Sequence, residues 1–206
     1  MSDYPTIISF YTDNWEYPQY AKEMKRSCNN LGLQHHIVEK ENTGNWLKNT
    51  AIKPYFILET LQELKRPVLW VDVDGSILKR PELLKIGYTH DFAARRMPER
   101  RIRIWHVGTM YFNYTDPAVN FLTFWTGELE KYRGSDEGAL DAIWKSNPDI
   151  VGTLSVGELP AEYFEMLRGE GAVPSNSTVI CHRASKDDSK MEIKRRHKAN
   201  LQKARY

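Results

Sequence analysis

The chain has 206 residues, 41% of them hydrophobic and 12% aromatic, which is enough to fill one well-cored domain and excludes general disorder. Its net charge of +2 hides an asymmetry: residues 95–103 carry five arginines against Glu99, residues 183–206 carry nine Lys/Arg against three acids, and the remainder stands at −8. No apolar run approaches the roughly 20 residues of a membrane span, the start Met-Ser-Asp-Tyr-Pro has no signal-peptide pattern, and Cys28 and Cys181 make no disulfide framework, so a cytoplasmic protein with reduced thiols is expected.

Thr6-Ile7-Ile8-Ser9-Phe10-Tyr11 is a β-rich run. Residues 16–31 read as a helix, with Pro18 in the first turn and Gly32 at the C-terminal stop. A second strand is predicted around 34–38. The next helix is predicted from Ile52, with Pro54 in its first turn and Tyr55, Leu58, Leu61 and Leu64 on its apolar face. Pro67 opens Val68-Leu69-Trp70-Val71, an uninterrupted apolar run of the kind buried in a parallel sheet. The βαβαβ order predicts a doubly wound α/β sheet flanked by helices, whose chemistry lies beyond the carboxyl ends of its strands. Those ends are Tyr11-Thr12-Asp13 and Asp72-Val73-Asp74.

The second half is less regular. A short helix is predicted after Pro81, strands near 91–94 and 102–112, and helices over 117–129 and 136–144 with Ser135 or Asp136 as N-cap. Residues 151–156 and 178–181 read as late strands. Residues 1–185 form one predicted domain, and 186–206 a basic C-terminal helix or tail.

A strand ending in Asp72-Val73-Asp74 presents two carboxylates on one side, because side chains alternate with period two. Such hard oxygen ligands fit Mn²⁺ or Mg²⁺ bound together with substrate phosphates. Two enzyme families share this local pattern. Asp72-Val73-Asp74-Gly75-Ser76-Ile77-Leu78 resembles the first motif of haloacid-dehalogenase-like phosphatases, which would make Asp72 a nucleophile and Asp74 an acid/base. That motif belongs on the first strand of its domain, whereas two strand–helix units precede it here. The only late partner motif is Lys186-Asp187-Asp188.

The broader resemblance, from Ile7 to about Ser185, is to glycosyltransferases of the GT-A fold, a Rossmann-type mixed sheet that binds nucleotide-diphosphate sugars. It rests on the order of Lys53-Pro54-Tyr55, the Asp-x-Asp strand, Leu78 with Pro81, Gly108-Thr109-Met110-Tyr111, Ser135-Asp136-Glu137 and Val179-Ile180-Cys181-His182. The resemblance implies a metal-dependent transferase, closer to the retaining enzymes, with a UDP-sugar favoured as donor. Asp72, Asp74 and His182 would hold the metal. Tyr11, Thr12, Asn14, Lys53 and Asp72 would bind the nucleotide-sugar, and Asp136 and Glu137 would act at the sugar. Tyr11 reads equally as strand packing, Lys53 as a solvent-side helix charge, and Ser135-Asp136 as an N-cap.

For the acceptor, the basic run offers Arg95, Arg96, Arg101 and Arg103, followed by Trp105, His106, Gly108 and Thr109. Together with the basic tail it points to an anionic acceptor, and to a hydroxymethylated base in bacteriophage DNA in particular. Trp105 or Tyr111 would then stack on an extruded base. A glycan, lipid-linked sugar or protein is the rival acceptor. A non-catalytic nucleic-acid-binding module ranks third.

Overall fold

The computed structural model describes residues 3–98, 103–131, 135–168 and 171–183. Arg101 and the basic segment 186–206 lie outside the described residues. The described residues form, in chain order, β1 (Thr6–Tyr11), α1 (Tyr17–Leu31), β2 (His35–Glu39), α2 (Trp46–Leu64), β3 (Val68–Val71), β4 (Gly75–Ile77), β5 (Phe92–Arg96), β6 (Trp105–Phe112), α3 (Asp116–Lys131), α4 (Asp136–Ser146), α5 (Pro148–Val151), β7 (Val156–Glu158), β8 (Glu165–Leu167) and β9 (Ile180–Arg183). Single 3-10 turns cover Glu82–Leu84 and Ala161–Tyr163.

The start of the chain follows its local signals. Gly32 takes a left-handed φ of 65°, and this lets its N–H reach Asn29 O at 3.1 Å and the N–H of Leu33 reach Cys28 O at 2.9 Å. Two readings are corrected. Helix α2 begins at Trp46, so Pro54 lies inside it rather than in its first turn. The true start is set by Asn45, whose side chain accepts from the N–H groups of Leu47 and Lys48. Burial of Lys53, Phe56, Ile57 and Leu61 carries the helix past the amide that Pro54 lacks. Residues 151–156 are not one strand: Asn147-Pro148 starts the short helix α5, and only Val156 enters β7.

The main sheet has the order β2-β1-β3-β6-β5-β7. Strand β1 runs parallel to β2 and β3, β6 is antiparallel to both β3 and β5, and β7 is parallel to β5. It is the mixed α/β sheet expected. Alternate residues feed opposite faces: Ile8, Val68, Trp70, Met110 and Phe112 pack under α2, α3 and α4. Ile7, Leu69, Val71 and Tyr111 pack against α1 and the segment around β4. Both faces are covered, which explains why Val68–Val71 carries no polar residue.

From β1 the chain crosses to β2 on one side and later to β3 on the other, so a crevice opens between the carboxyl ends of β1 and β3. A second sheet, β4-β9-β8, closes over that end and sets Gly75 opposite His182. Among the described residues, no helix is long and apolar enough to cross a membrane.

Candidate active site

The crevice is a cleft of about 420 Å³. Its floor is the turn that follows β3, where the N–H of Gly75 donates to Asp72 O at 2.7 Å. Gly75 has little alternative as a residue type: a Cβ there would stand 2.6 Å from Val71 Cγ1 and 3.0 Å from His182 Cε1. The turn separates the two carboxylates. Asp72 faces α2, accepting from Trp70 Nε1 at 2.9 Å and lying 2.9 Å from Lys53 Nζ. Asp74 faces β9, with its Oδ1 3.4 Å from His182 Nδ1.

Lys53 is the hub. Its Nζ also lies 2.6 Å from Asp136 Oδ2 and donates to Val107 O at 3.3 Å, and it sits 5.3 Å from the centroid of the Trp70 ring. The Lys53 and Asp136 side chains are 7% and 5% exposed, whereas Asp72 keeps 36% of its side chain in solvent. Burial works against the charged Lys53, but the two carboxylates overcome it and raise its pKa above the ordinary value. Burial would likewise raise Asp72, yet the Lys53 ammonium, with help from His182, holds its carboxyl below the ordinary value. The three groups tie α2, β3 and α4 together at one point.

Asp136 and Glu137 open α4, where Ser135 caps the helix by accepting from Gly138 N at 3.2 Å. Unpaired N–H groups in a first turn stabilise anions. The two acids divide their roles. Asp136 is spent on Lys53, while Glu137 lines the cleft with 32% of its side chain exposed and Arg103 Nε at 3.6 Å. Burial raises the Glu137 carboxyl above its ordinary value, against the pull of Arg103.

The opposite wall comes from a bulge. Strand pairing between β5 and β6 shifts at Ala94/Arg95, so Arg95 pairs with His106 and the segment 107–109 swings toward Asp72, whose N–H donates to Gly108 O at 2.8 Å. Burial pushes His106 down to about 4, so its ring is neutral at neutral pH. Thr109 is fully buried behind the cleft, with its hydroxyl 2.8 Å from His182 Nε2.

Of the residues singled out from sequence, Tyr11, Thr12, Lys53, Asp72, Asp74, His106, Gly108, Asp136, Glu137 and His182 all line this cleft. Asn14 is not among the lining residues and accepts from the Thr12 hydroxyl at 2.5 Å. Arg95 is half-buried and donates to Phe164 O, Arg96 is exposed, and Arg101 lies outside the described residues. Trp105 and Tyr111 do not reach an acceptor: Trp105 packs edge-to-face on Phe92 and Trp144, and Tyr111 is 1% exposed in the other core. The bulge between them breaks the alternation of β6, so the two rings enter opposite apolar layers.

Sequence reading missed Trp15, Tyr17, Trp46, Phe164 and Met166, which also line the cleft. Trp15 holds a left-handed φ of 55°, uncommon for a bulky residue and a signal visible only in the backbone.

For a metal, the geometry offers a pair rather than the expected three ligands. Among the described residues, no group of three or more His, Cys, Asp or Glu is placed to hold one. The 3.4 Å between Asp74 Oδ1 and His182 Nδ1 is near the ~3 Å separating adjacent ligands of an octahedral ion with bonds of about 2.1 Å. A carboxylate oxygen and an imidazole nitrogen fit Mn²⁺ or Mg²⁺, with the other positions left to water and phosphate.

No protein-family model matches the sequence, and no curated protein matches it. Solved structures do match. A glycosyltransferase involved in the glycosylation of the major capsid of PBCV-1 superposes with a TM-score of 0.63 at 11% identity, over 92% of this chain and 99% of that one. The glycosyltransferase GlyE of Streptococcus pneumoniae TIGR4 gives 0.59 at 14% identity, over 89% of this chain but only 56% of that one. The chain shares the fold of these glycosyltransferases. At such identities the likeness concerns the path of the backbone.

Proposed function

We propose that the chain is a metal-dependent glycosyltransferase of GT-A type that moves a sugar from a nucleotide-diphosphate sugar, UDP-linked by preference, to an acceptor hydroxyl. The observation that supports this best is the convergence, at the switch point of the sheet, of Lys53, Asp72 and Asp136 beside the facing pair Asp74 and His182. A plain surface turn has no need for a buried ammonium shared by two carboxylates, with its desolvation cost.

In this reading the aromatic end of the cleft, Tyr11 with Trp15, receives the nucleobase, and Thr12, whose hydroxyl is oriented by Asn14, meets its polar edge. Asp74 and His182, with Asp72 beside them, hold Mn²⁺ or Mg²⁺, which would offset the charge of the diphosphate and stabilise the departing nucleotide. Lys53 keeps Asp72 ionised and fixed in place. Glu137 is the carboxylate left to face the sugar, and Asp136 positions it by anchoring the first turn of α4. The course is proposed as retaining, which requires no general base. His106, Gly108 and Met166 form the wall left for the acceptor. The exposed Arg96 and the basic run support an anionic acceptor, a hydroxymethylated base in DNA being the one put forward.

The test is thermal unfolding and nucleotide release with a panel of nucleotide-sugars, with and without Mn²⁺ and with and without hydroxymethylated DNA. UDP with Mn²⁺ at a hundred times its dissociation constant should stabilise the protein by about 2.7 kcal/mol. Asp74→Ala should lose that gain and cut nucleotide release by roughly 10²-fold or more. Hydrolysis of a generic phosphomonoester without any nucleotide would favour the phosphatase. DNA binding unchanged in Asp72→Ala/Asp74→Ala, with no donor consumed by the parent, would favour the binding module.

A further inference from the structure

We propose that Phe164 is a positioning residue that aims His182 Nδ1 at Asp74. The inference rests on the reading that Asp74 and His182 hold a divalent cation. Phe164 is 3% exposed, yet it belongs to neither apolar cluster flanking the main sheet. It lines the cleft instead. Its ring is held between two histidines from different sheets: His106 of β6, at 3.5 Å between centroids and tilted by 32°, and His182 of β9, at 4.3 Å and within 23° of parallel.

The backbone under that ring is pinned on both sides. The N–H of Phe164 donates to Ala161 O at 3.0 Å, and its carbonyl accepts from the Arg95 guanidinium. Gly108 leaves the space that the ring needs, since a Cβ there would stand 2.6 Å from Phe164 Cε2. His182 is itself 1% exposed, and the Thr109 hydroxyl meets its Nε2 at 2.8 Å. One hydrogen bond fixes one edge of an imidazole but leaves the ring free to tilt about it. A flat ring laid on its face removes that tilt, and the remaining nitrogen then points at Asp74 Oδ1, 3.4 Å away. Partners behind a ligating histidine set its orientation in this way, and losing one typically weakens metal affinity by about 10–100-fold. The outer ring of the stack, His106, meets Phe164 through its face, and its buried Nδ1 has no hydrogen-bond partner among the described residues.

The test measures free Mn²⁺ by electron paramagnetic resonance, with the metal alone and with Mn²⁺ plus UDP, on the whole chain. His182→Ala against the parent tests the metal reading: if both bind Mn²⁺ equally, that reading falls, and this inference with it. Phe164→Leu against the parent tests the positioning role. The expected result is a roughly 10–100-fold weaker Mn²⁺ affinity, with UDP affinity in the absence of metal unchanged. Gly108→Ala keeps every stacking group but displaces the Phe164 ring, and should weaken Mn²⁺ in the same direction. Combined with Phe164→Leu it should add little, because the smaller side chain leaves room for the new methyl. Phe164→Tyr keeps the flat face and should restore the affinity to within about threefold of the parent. Loss of stability alone would lower metal-free UDP binding and Mn²⁺ binding together. Mn²⁺ affinity at the parental level in folded Phe164→Leu or Gly108→Ala would overturn the inference.

Discussion

Replacing Lys53 by Met removes the one positive charge between two carboxylates while keeping most of the buried stem. Asp136 is then left at 5% side-chain exposure without its ion pair. Breaking a buried pair in this way costs about 3–5 kcal/mol. Little is added by Asp72, which keeps its bond from Trp70 and is 36% exposed, so water takes up its charge at a cost below about 1 kcal/mol. At roughly 2–4 °C per kcal/mol for a chain of this size, the melting temperature should fall by about 6–20 °C. Urea unfolding at neutral pH, with an unchanged m-value, is the assay. The double variant Lys53→Met/Asp136→Leu removes the stranded charge and should return to within about 1 kcal/mol of the parent, less the roughly 0.5 kcal/mol that an anion contributes at a helix start. A single variant that loses under ~1 kcal/mol, or a double variant no more stable than the single, would refute the argument that this ammonium ties α2, β3 and α4 together.

Further outcomes follow from the same geometry. His106 stays neutral down to about 4 in the folded protein while its unfolded value is near 6.5, so its contribution is present above pH 6.5 and lost as the pH falls toward 4. Stability measured over that range should drop by at most ~1.4 kcal/mol per unit from this source, and His106→Gln should flatten the profile; an unchanged slope would rule the explanation out. Gly75→Ala forces a methyl to within 2.6 Å of Val71 Cγ1 and should cost about 1–3 kcal/mol in urea unfolding. Trp15→Gly relieves the left-handed backbone, worth about 1–2 kcal/mol, but loses the edge-to-face contact with Tyr17. Its stability should therefore change little, while UDP affinity by calorimetry falls roughly 5–10-fold; unchanged affinity would remove Trp15 from the nucleobase end.

What could be read without a structure was whatever short-range pattern encodes. Alternation and an apolar run placed β1 and β3, a glycine marked the end of α1, and the pair Ser135-Asp136 marked the start of α4, with Ser135 proving to be the cap. Those signals put Asp72, Asp74 and Asp136 at element ends, where the structure also has them. The start of α2 was misread because Pro54 is a stronger local signal than Asn45, and burial of the face around Lys53 outweighed it.

The sequence by itself thus determined which residue types stand at the ends of the strands and at the head of α4. Only the tertiary structure decided their partners. Lys53 meets Asp72 and Asp136 because α2 packs beside both β3 and α4, and His182 meets Asp74 through the register of β4 against β9. Trp105 and Tyr111 left the site, and Phe164 entered it, through the same kind of long-range placement. The physical reason is that periodicity acts over a few residues. The meeting of side chains more than a hundred positions apart, as Asp74 and His182 are, depends on strand order and register, which no local window contains.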